Sequence, residues 1–182
     1  MEGVRRAAPG DLERCAALLE AARQDALARR GGPLLLLDAG APTGGMHATA
    51  AALDRWIAAG DDRVLLAGTF DDVVVGVGAA HVRARTEARG PDGPASVTDT
   101  AGVAGPTRQP GLMGVVDCCY VEAAARRVGV GGALASALVA WLTERGCAGV
   151  DVLALPGDRE TKQLFESEGF SARLLVLHRP LP

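Results

Sequence analysis

The residues best suited to chemistry form a glycine-rich turn in the C-terminal half of the chain. Arg126 and Arg127 precede Gly129, Gly131 and Gly132, and an amphipathic segment follows. Glycines at a helix start let the backbone approach a ligand and leave amide hydrogens unpaired, where the helix dipole places about half a positive charge. The turn therefore predicts an anion site suited to a pyrophosphate. The alternative is that the glycines only begin a helix and the arginines are solvated.

A carboxylate interrupts the apolar run that leads into this turn. Asp117 lies within residues 115–119, where every other residue is Val or Cys. An acid in such a run is paired, functional or directed to an open face, so a catalytic role and a structural role are equal alternatives. Because strand side chains alternate, Asp117, Cys119 and Val121 are expected to point together.

Composition limits the class of protein. The 182 residues are 48% apolar with a net charge of −3, which is typical of one globular domain spanning residues 1–182. A mildly acidic chain has no general attraction for a phosphate backbone, so no nucleic-acid partner is expected. The four cysteines and three histidines lack metal-ligand spacing, which predicts no metal. Without a signal-peptide core or a membrane span, the predicted location is the cytoplasm.

Hydrophobic spacing and turn residues predict the elements around the turn. The predicted strands lie at 4–7, 64–68, 73–82, 112–121, 150–155 and 174–178. The predicted helices lie at 12–29, 48–59, 130–145 and 158–168. This order gives an α/β mixed sheet in which antiparallel strands precede a parallel strand-helix-strand unit.

Residues 84–110 contain abundant Arg, Gly, Pro, Thr and Asp and almost no large apolar side chain. Such a composition predicts a long mobile loop. The apolar run at 34–37 and this loop could frame a pocket for a second substrate, although simple packing and disorder explain them equally well.

Three segments carry a family resemblance. The motif Arg126-x-x-Gly129-x-Gly131 resembles the acyl-CoA-binding motif of the GNAT superfamily of N-acetyltransferases. Residues 158–170, which end in Gly-Phe, look like that family's last helix, and residues 4–11 look like its opening strand and helix cap. For residues 30–110, the resemblance to the family is supported only by the order of the predicted strands and helices.

The resemblance implies a GNAT-like acyl-CoA N-acyltransferase fold with a V-shaped opening between two splayed parallel strands. Acetyl-CoA would lie there, with its pantetheine arm along the strand that ends near Val121 and its thioester carbonyl polarised by a nearby backbone amide. No metal is implied. The implied cofactor-binding residues are Cys119, Tyr120, Val121, Arg126, Arg127, Val128, Gly129, Val130, Gly131, Gly132, Ala133 and Phe165.

The implied reaction is direct attack of a primary amine on the thioester in a ternary complex. An alkylamine has a pKa near about 10.4, so a carboxylate or a water chain must remove a proton. Asp117, where many family members carry a glutamate, is the candidate base, and Glu122, expected to face solvent, is the competitor. Phe165 stands where the family often has a tyrosine acid. Acyl transfer to Cys119 is disfavoured because no histidine lies near it in sequence.

Two rival functions stay open. A dinucleotide-binding enzyme would use Gly129-x-Gly131 with Asp151, but Leu134 occupies its third glycine position. A non-catalytic acyl-CoA sensor is favoured by Phe165. The sequence does not define the amine acceptor, although an acidic surface slightly favours a cationic small molecule. With a single strand after residue 170, another subunit could complete the sheet, which suggests a homodimer.

Overall fold

The computed structural model describes residues 1–32, 48–84 and 111–173. The elements in chain order are β1 (Glu2–Arg6), a 3₁₀ turn (Pro9–Asp11), α1 (Leu12–Leu27), α2 (Ala50–Ala58), β2 (Arg63–Phe70), β3 (Val73–Ala84), β4 (Leu112–Val121), a second 3₁₀ turn (Ala123–Ala125), α3 (Val130–Glu144), β5 (Gly149–Val152) and α4 (Arg159–Ser167). The apolar run at 34–37, most of the predicted loop at 84–110 and the predicted last strand at 174–178 lie outside the described residues.

The described strands form one mixed sheet in the order β1-β2-β3-β4-β5. The first four strands pair antiparallel, and β5 pairs parallel with β4. The predicted α/β mixed sheet with a parallel β4-α3-β5 unit is therefore confirmed. Strand β5 ends at Val152, three residues before the predicted end of that strand.

Helices cover both faces of the sheet, and each face has its own apolar cluster. On one face α3 and α4 pack against side chains that include Leu66, Ala80 and Val116. On the other face α1 and α2 pack against side chains that include Leu65 and Ala79. The strands β2, β3 and β4 thus contribute to both clusters by the alternation of their side chains.

Glycines in the sheet allow α3 to lie close to it. A Cβ atom at Gly114 of β4 would lie 2.7 Å from Leu142 Cδ1, and one at Gly78 of β3 would lie 3.1 Å from Leu138 Cδ1. Both leucines are fully buried, so neither can move aside freely. The missing side chains therefore fix the distance between α3 and the sheet, and with it the position of the N-terminus of α3.

Strands β4 and β5 separate partway along β4. Their pairing runs from Met113 opposite Gly149 to Val116 opposite Val152, whereas β4 continues to Val121. The strand pair is thus open beyond Val116, as the resemblance implied. None of the described helices is long and apolar enough to cross a membrane.

A β-bulge interrupts the pairing of β3 with β4 at the same place. Ala79 pairs with Cys118 and Ala80 pairs with Val116, so Asp117 is the extra residue on β4. A bulge shifts the alternation of side chains beyond it. Cys119 packs with the α3 and α4 cluster, whereas Cys118 packs with the α1 and α2 cluster.

Candidate functional site

A cavity of about 620 Å³ lies where β4 and β5 separate. Its walls are the end of β4, the turn and start of α3, the helix α4, and the C-terminal half of α1. A cavity of this size is sufficient for a cofactor or a small substrate. Of the predicted site residues, those that line it are Asp117, Cys119, Tyr120, Val121, Arg126, Arg127, Gly129, Gly131, Gly132 and Phe165. Val128, Val130 and Ala133 do not line it.

The first turn of α3 presents backbone amides at this cavity. Gly129 precedes the helix with φ of 92°, a left-handed conformation that favours glycine, and no side-chain hydrogen bond caps this helix in the described part of the chain. The amide of Ala133 donates to the carbonyl of Gly129 at 3.0 Å, so the amides of residues 130–132 precede the first bond of the helical ladder. These amides and the helix dipole suit an anion.

Gly131 and Gly132 keep space open beside those amides. A Cβ atom at Gly132 would meet no atom within 4 Å, and one at Gly131 would meet only Val121 Cγ2 at 3.8 Å and Leu164 Cδ2 at 4.0 Å. Packing within the protein therefore does not require glycine at either position. A ligand that approaches the backbone closely does require it.

Arg126 ties three elements together at the edge of the cavity. Its Nε donates to the carbonyl of Val121 at 3.1 Å, and its guanidinium lies 3.3 Å from an Asp25 oxygen and 3.7 Å from a Glu160 oxygen. The guanidinium carbon also lies 5.7 Å from the ring centre of Tyr120. Arg126 is thus not simply solvated, and two carboxylates already share its charge. The Val121 carbonyl, expected to contact pantetheine, accepts this bond from Arg126.

Cys119 is held against the start of α3, and its thiol is poorly suited to nucleophilic attack. Its Sγ lies 3.8 Å from the carbonyl of Gly131. Burial raises the pKa of this thiol to about 12. The thiolate is the nucleophilic form of cysteine, so a pKa this high disfavours an acyl-enzyme at Cys119.

Phe165 forms part of the cavity wall without offering a proton. It is 3% exposed, and its ring meets that of Phe170 edge-on with centroids 5.1 Å apart. The position where the family often carries a tyrosine is therefore an apolar surface in this chain. The Phe165 side chain packs in the core and also lines the cavity.

Glu122 is partly exposed to solvent and also forms an ion pair. Its carboxylate lies 2.7 Å from the guanidinium of Arg14 on α1, and its side chain is 33% exposed. Glu122 does not line the cavity. The ion pair connects the end of β4 to α1.

Asp117 is bound to a histidine that the sequence did not link to it. Nδ1 of His81 lies 3.0 Å and 2.9 Å from the two carboxylate oxygens of Asp117. The Asp117 side chain is 1% exposed and that of His81 is 13% exposed. Ala80 and Val82 pack with the α3 and α4 cluster, so the alternation of side chains along β3 directs His81 to the α1 and α2 face of the sheet. Because Asp117 binds His81, its carboxylate lies on that face as well.

The expectation that Asp117, Cys119 and Val121 point together is therefore wrong. The bulge at Asp117 places its carboxylate on the opposite face of the sheet from Cys119 and Val121. The sequence showed His81 within a predicted strand, but the strand register that brings it to Asp117 has no local signal.

The cavity, the diverging strands and the amides at the start of α3 together form a candidate site suited to an anionic ligand. The chain belongs to the GNAT family of acetyltransferases: the family model described as "Acetyltransferase (GNAT) family" matches residues 35–170. This family uses acetyl-CoA.

Solved structures share the fold. Glucosamine-6-phosphate N-acetyltransferase from Arabidopsis thaliana matches with a TM-score of 0.61 and 15% identity, covering 100% of this chain and 99% of that one. AAC(6')-Iy in complex with the bisubstrate analog CoA-S-monomethyl-acetylneamine matches with a TM-score of 0.61 and 17% identity, covering 100% and 99%. A transcriptional regulator from Bacillus halodurans C-125 matches with a TM-score of 0.65 and 16% identity, covering 100% of both chains. A search of curated proteins found no match.

Proposed function

We propose that this protein is an N-acetyltransferase that moves the acetyl group of acetyl-CoA to a primary amine by direct attack in a ternary complex. The observation that carries the proposal is the open first turn of α3, where Gly131 and Gly132 leave backbone amides accessible at a cavity of about 620 Å³. A pyrophosphate fits such a helix start, because the amides and the dipole both favour an anion.

The cofactor would run from this turn along β4. The amides of residues 130–132 would hold the pyrophosphate, and Arg127 would add charge beside it. The pantetheine arm would then lie between the end of β4 and β5, where the strands no longer pair. A backbone amide near Cys119 or Tyr120 would donate to the thioester oxygen as negative charge develops there.

The second substrate is proposed to be a cationic amine. The carboxylates that line the cavity, Asp25, Asp117, Asp158 and Glu160, outnumber its guanidinium groups, Arg29, Arg126 and Arg127, by one, and the whole chain carries a net charge of −3. Acidic groups around a concave site attract a cation and orient it. Two of the solved relatives are named for acetyl transfer to amino sugars or carry an acetylneamine conjugate, which makes amino sugars and polyamines the first acceptors to try.

Release of free thiol from acetyl-CoA with a panel of amines tests the proposal. The panel should include aminoglycosides, polyamines, amino sugars, amino acids and a lysine peptide. We expect thiol release that depends on the amine, acetylated product by mass spectrometry, and intersecting initial-velocity patterns, since both substrates must bind before reaction. Absence of amine-dependent thiol release across the panel would refute the transferase assignment.

A non-catalytic acyl-CoA sensor is the alternative, and Phe165 in place of a tyrosine is the observation that favours it. A sensor would bind acetyl-CoA in calorimetry and release no thiol with any amine. A thiol has a pKa near about 8.5, so its anion leaves readily and an acid at position 165 is helpful without being required. The transferase is therefore preferred.

A further inference from the structure

We propose that the place held by the guanidinium of Arg126 is a cation subsite of the cavity, and that a second ammonium group of the amine substrate binds there. The groups that would bind it are Asp25, Glu160 and the ring of Tyr120. Arg126 would leave this subsite when the pyrophosphate of the cofactor binds. The inference rests on the proposed acetyltransferase function and narrows the acceptor to amines that carry a second positive charge.

The contacts of Arg126 show that these groups hold a cation. One guanidinium nitrogen lies 3.3 Å from a carboxylate oxygen of Asp25 on α1, and another lies 3.7 Å from one of Glu160 on α4. The guanidinium carbon lies 5.7 Å from the centre of the Tyr120 ring, within the range of a cation–π contact. All four side chains line the same cavity. Two carboxylates and an aromatic face around one positive charge suit an ammonium as well as a guanidinium.

Arg126 is held weakly enough to exchange partners. Its side chain is 34% exposed, and those of Asp25 and Glu160 are 47% and 64% exposed. Ion pairs this exposed contribute little, because solvent screens them. Phosphate groups form short, charge-assisted contacts with a guanidinium, and Arg126 lies four residues before Val130, whose amide belongs to the proposed pyrophosphate site. An incoming pyrophosphate would therefore attract the guanidinium and leave two carboxylates without their cation.

The same movement would free a backbone group for the cofactor. Nε of Arg126 donates to the carbonyl of Val121 at 3.1 Å. This carbonyl lies at the end of β4, where the pantetheine arm is proposed to run. Departure of Arg126 would thus release a hydrogen-bond acceptor for pantetheine and a cation subsite for the amine in one step.

The reacting nitrogen and the bound cation must be different atoms of the acceptor. The nucleophile must be neutral to have a lone pair, whereas a second alkylamine with a pKa near about 10.4 stays protonated at neutral pH. Tyr120 directly follows Cys119 in β4, and an amide near these two residues is proposed to bind the thioester oxygen. A chain of a few carbon atoms between the two nitrogens would therefore connect the reacting carbonyl to the subsite.

The exchange of Arg126 links the binding of the two substrates. In the free protein the second ammonium competes with the guanidinium, and in the cofactor complex it does not. Linkage between two sites is reciprocal and is typically about 5–150-fold. Coenzyme A is therefore expected to tighten the binding of a diamine.

A matched pair of amines tests the subsite by steady-state kinetics. Diaminobutane and butylamine have the same carbon chain and differ by one ammonium group. We expect Asp25→Asn to raise the KM for diaminobutane by about tenfold or more and to change that for butylamine by less than about twofold. The kcat should stay unchanged, because the subsite binds the ground state and the transition state alike. Glu13→Gln removes the same charge from α1 outside the cavity and should change neither KM.

Calorimetry tests the masking of the subsite by Arg126. We expect diaminobutane to bind wild type about fivefold or more tightly with coenzyme A present than without it. Arg126→Gln opens the subsite permanently, so the free variant should bind diaminobutane more tightly than free wild type does. Glu160→Gln, on a different helix, replaces Asp25→Asn in the kinetic comparison if that variant does not fold.

Three results would overturn the inference and leave the transferase proposal intact. The first is an equal KM of wild type for diaminobutane and butylamine. The second is an Asp25→Asn variant whose KM rises equally for both amines or for neither. The third is an affinity for diaminobutane that does not change with coenzyme A. A wild-type protein that transfers no acetyl group to any amine would refute the proposed function and this inference with it.

Discussion

At the scale of single residues, two kinds of glycine lie at the start of α3. Gly129 is required by its backbone, since its φ of 92° is costly for other residues by about 1–2 kcal/mol. Gly132 has ordinary helical geometry and empty space around its missing side chain. Stability and ligand binding are therefore expected to respond differently to the same substitution at these two positions.

We predict that Gly132→Ala leaves the fold at least as stable and weakens acetyl-CoA binding by about tenfold or more. Alanine favours a helix over glycine by up to about 1 kcal/mol, whereas its methyl group would occupy the space over the amides. Denaturant unfolding and calorimetry measure the two effects. Gly129→Ala is the companion variant and should lose about 1–2 kcal/mol of stability. Unchanged affinity in Gly132→Ala would show that no ligand approaches this turn.

A second prediction concerns the thiol on β4. Cys119→Ala should keep kcat within about threefold of wild type, because a thiol whose pKa is about 12 supplies almost no nucleophilic thiolate at neutral pH. Steady-state kinetics of both proteins with the best amine acceptor provide the comparison. Loss of all turnover in Cys119→Ala, together with parallel initial-velocity lines for wild type, would instead indicate an acyl-enzyme.

At the scale of elements, the distance between α3 and the sheet sets where the anion site lies. Gly114→Ala should destabilise the protein by about 1–3 kcal/mol, since the new methyl group would lie 2.7 Å from a fully buried Leu142. It should also weaken acetyl-CoA binding, because α3 must shift. Gly10→Ala is the matched control, since a Cβ there meets nothing within 4 Å. Equal stability of the two variants in denaturant unfolding would contradict this account.

The junction of β1 with α1 depends on one carboxylate. Asp11 accepts from the amide of Ala8 at 2.7 Å and binds the guanidinium of Arg5, which lowers the pKa of the Asp11 carboxyl. A lowered pKa in the folded state means that this stabilisation is present above the unfolded pKa of about 4 and is lost as the pH falls through the folded value.

We therefore predict that Asp11→Asn costs about 1–2 kcal/mol at pH 7. The difference from wild type should begin to shrink as the pH falls below about 4, where Asp11 of the unfolded chain takes up a proton, and should be lost below the lowered pKa of the folded state. Unfolding by denaturant at both pH values measures this. A difference that stays constant with pH would assign the effect to packing and not to charge.

At the scale of the whole molecule, the sheet joins two apolar clusters, one on each face. We predict that acetyl-CoA at about 100 times its dissociation constant raises the melting temperature by about 5–10 °C. The binding linkage is about 2.7 kcal/mol, and each kcal/mol shifts a protein of this size by about 2–4 °C. NAD is the control and should give no shift. A shift with NAD and none with acetyl-CoA would restore the dinucleotide hypothesis.

The sequence by itself determined the order of the elements and the position of the glycine-rich turn. Helical and strand periods, caps and turn residues are local properties, so the bounds of α3 and β4 were predicted to within about one residue. The motif from Arg126 to Gly131 depends on backbone geometry at one turn, which is also local. The assignment of one domain and the roles of the cofactor-binding residues stay predictions.

Only the tertiary structure decided which side chains meet. Asp117 reaches His81 because β4 carries an extra residue opposite Ala79 and Ala80. Arg126 reaches Asp25, 101 positions away in sequence. Alternation within one strand cannot reveal a bulge, because the bulge is defined by the register between two strands. Register is set by packing on both faces of the whole sheet, and no local pattern in this sequence encodes it.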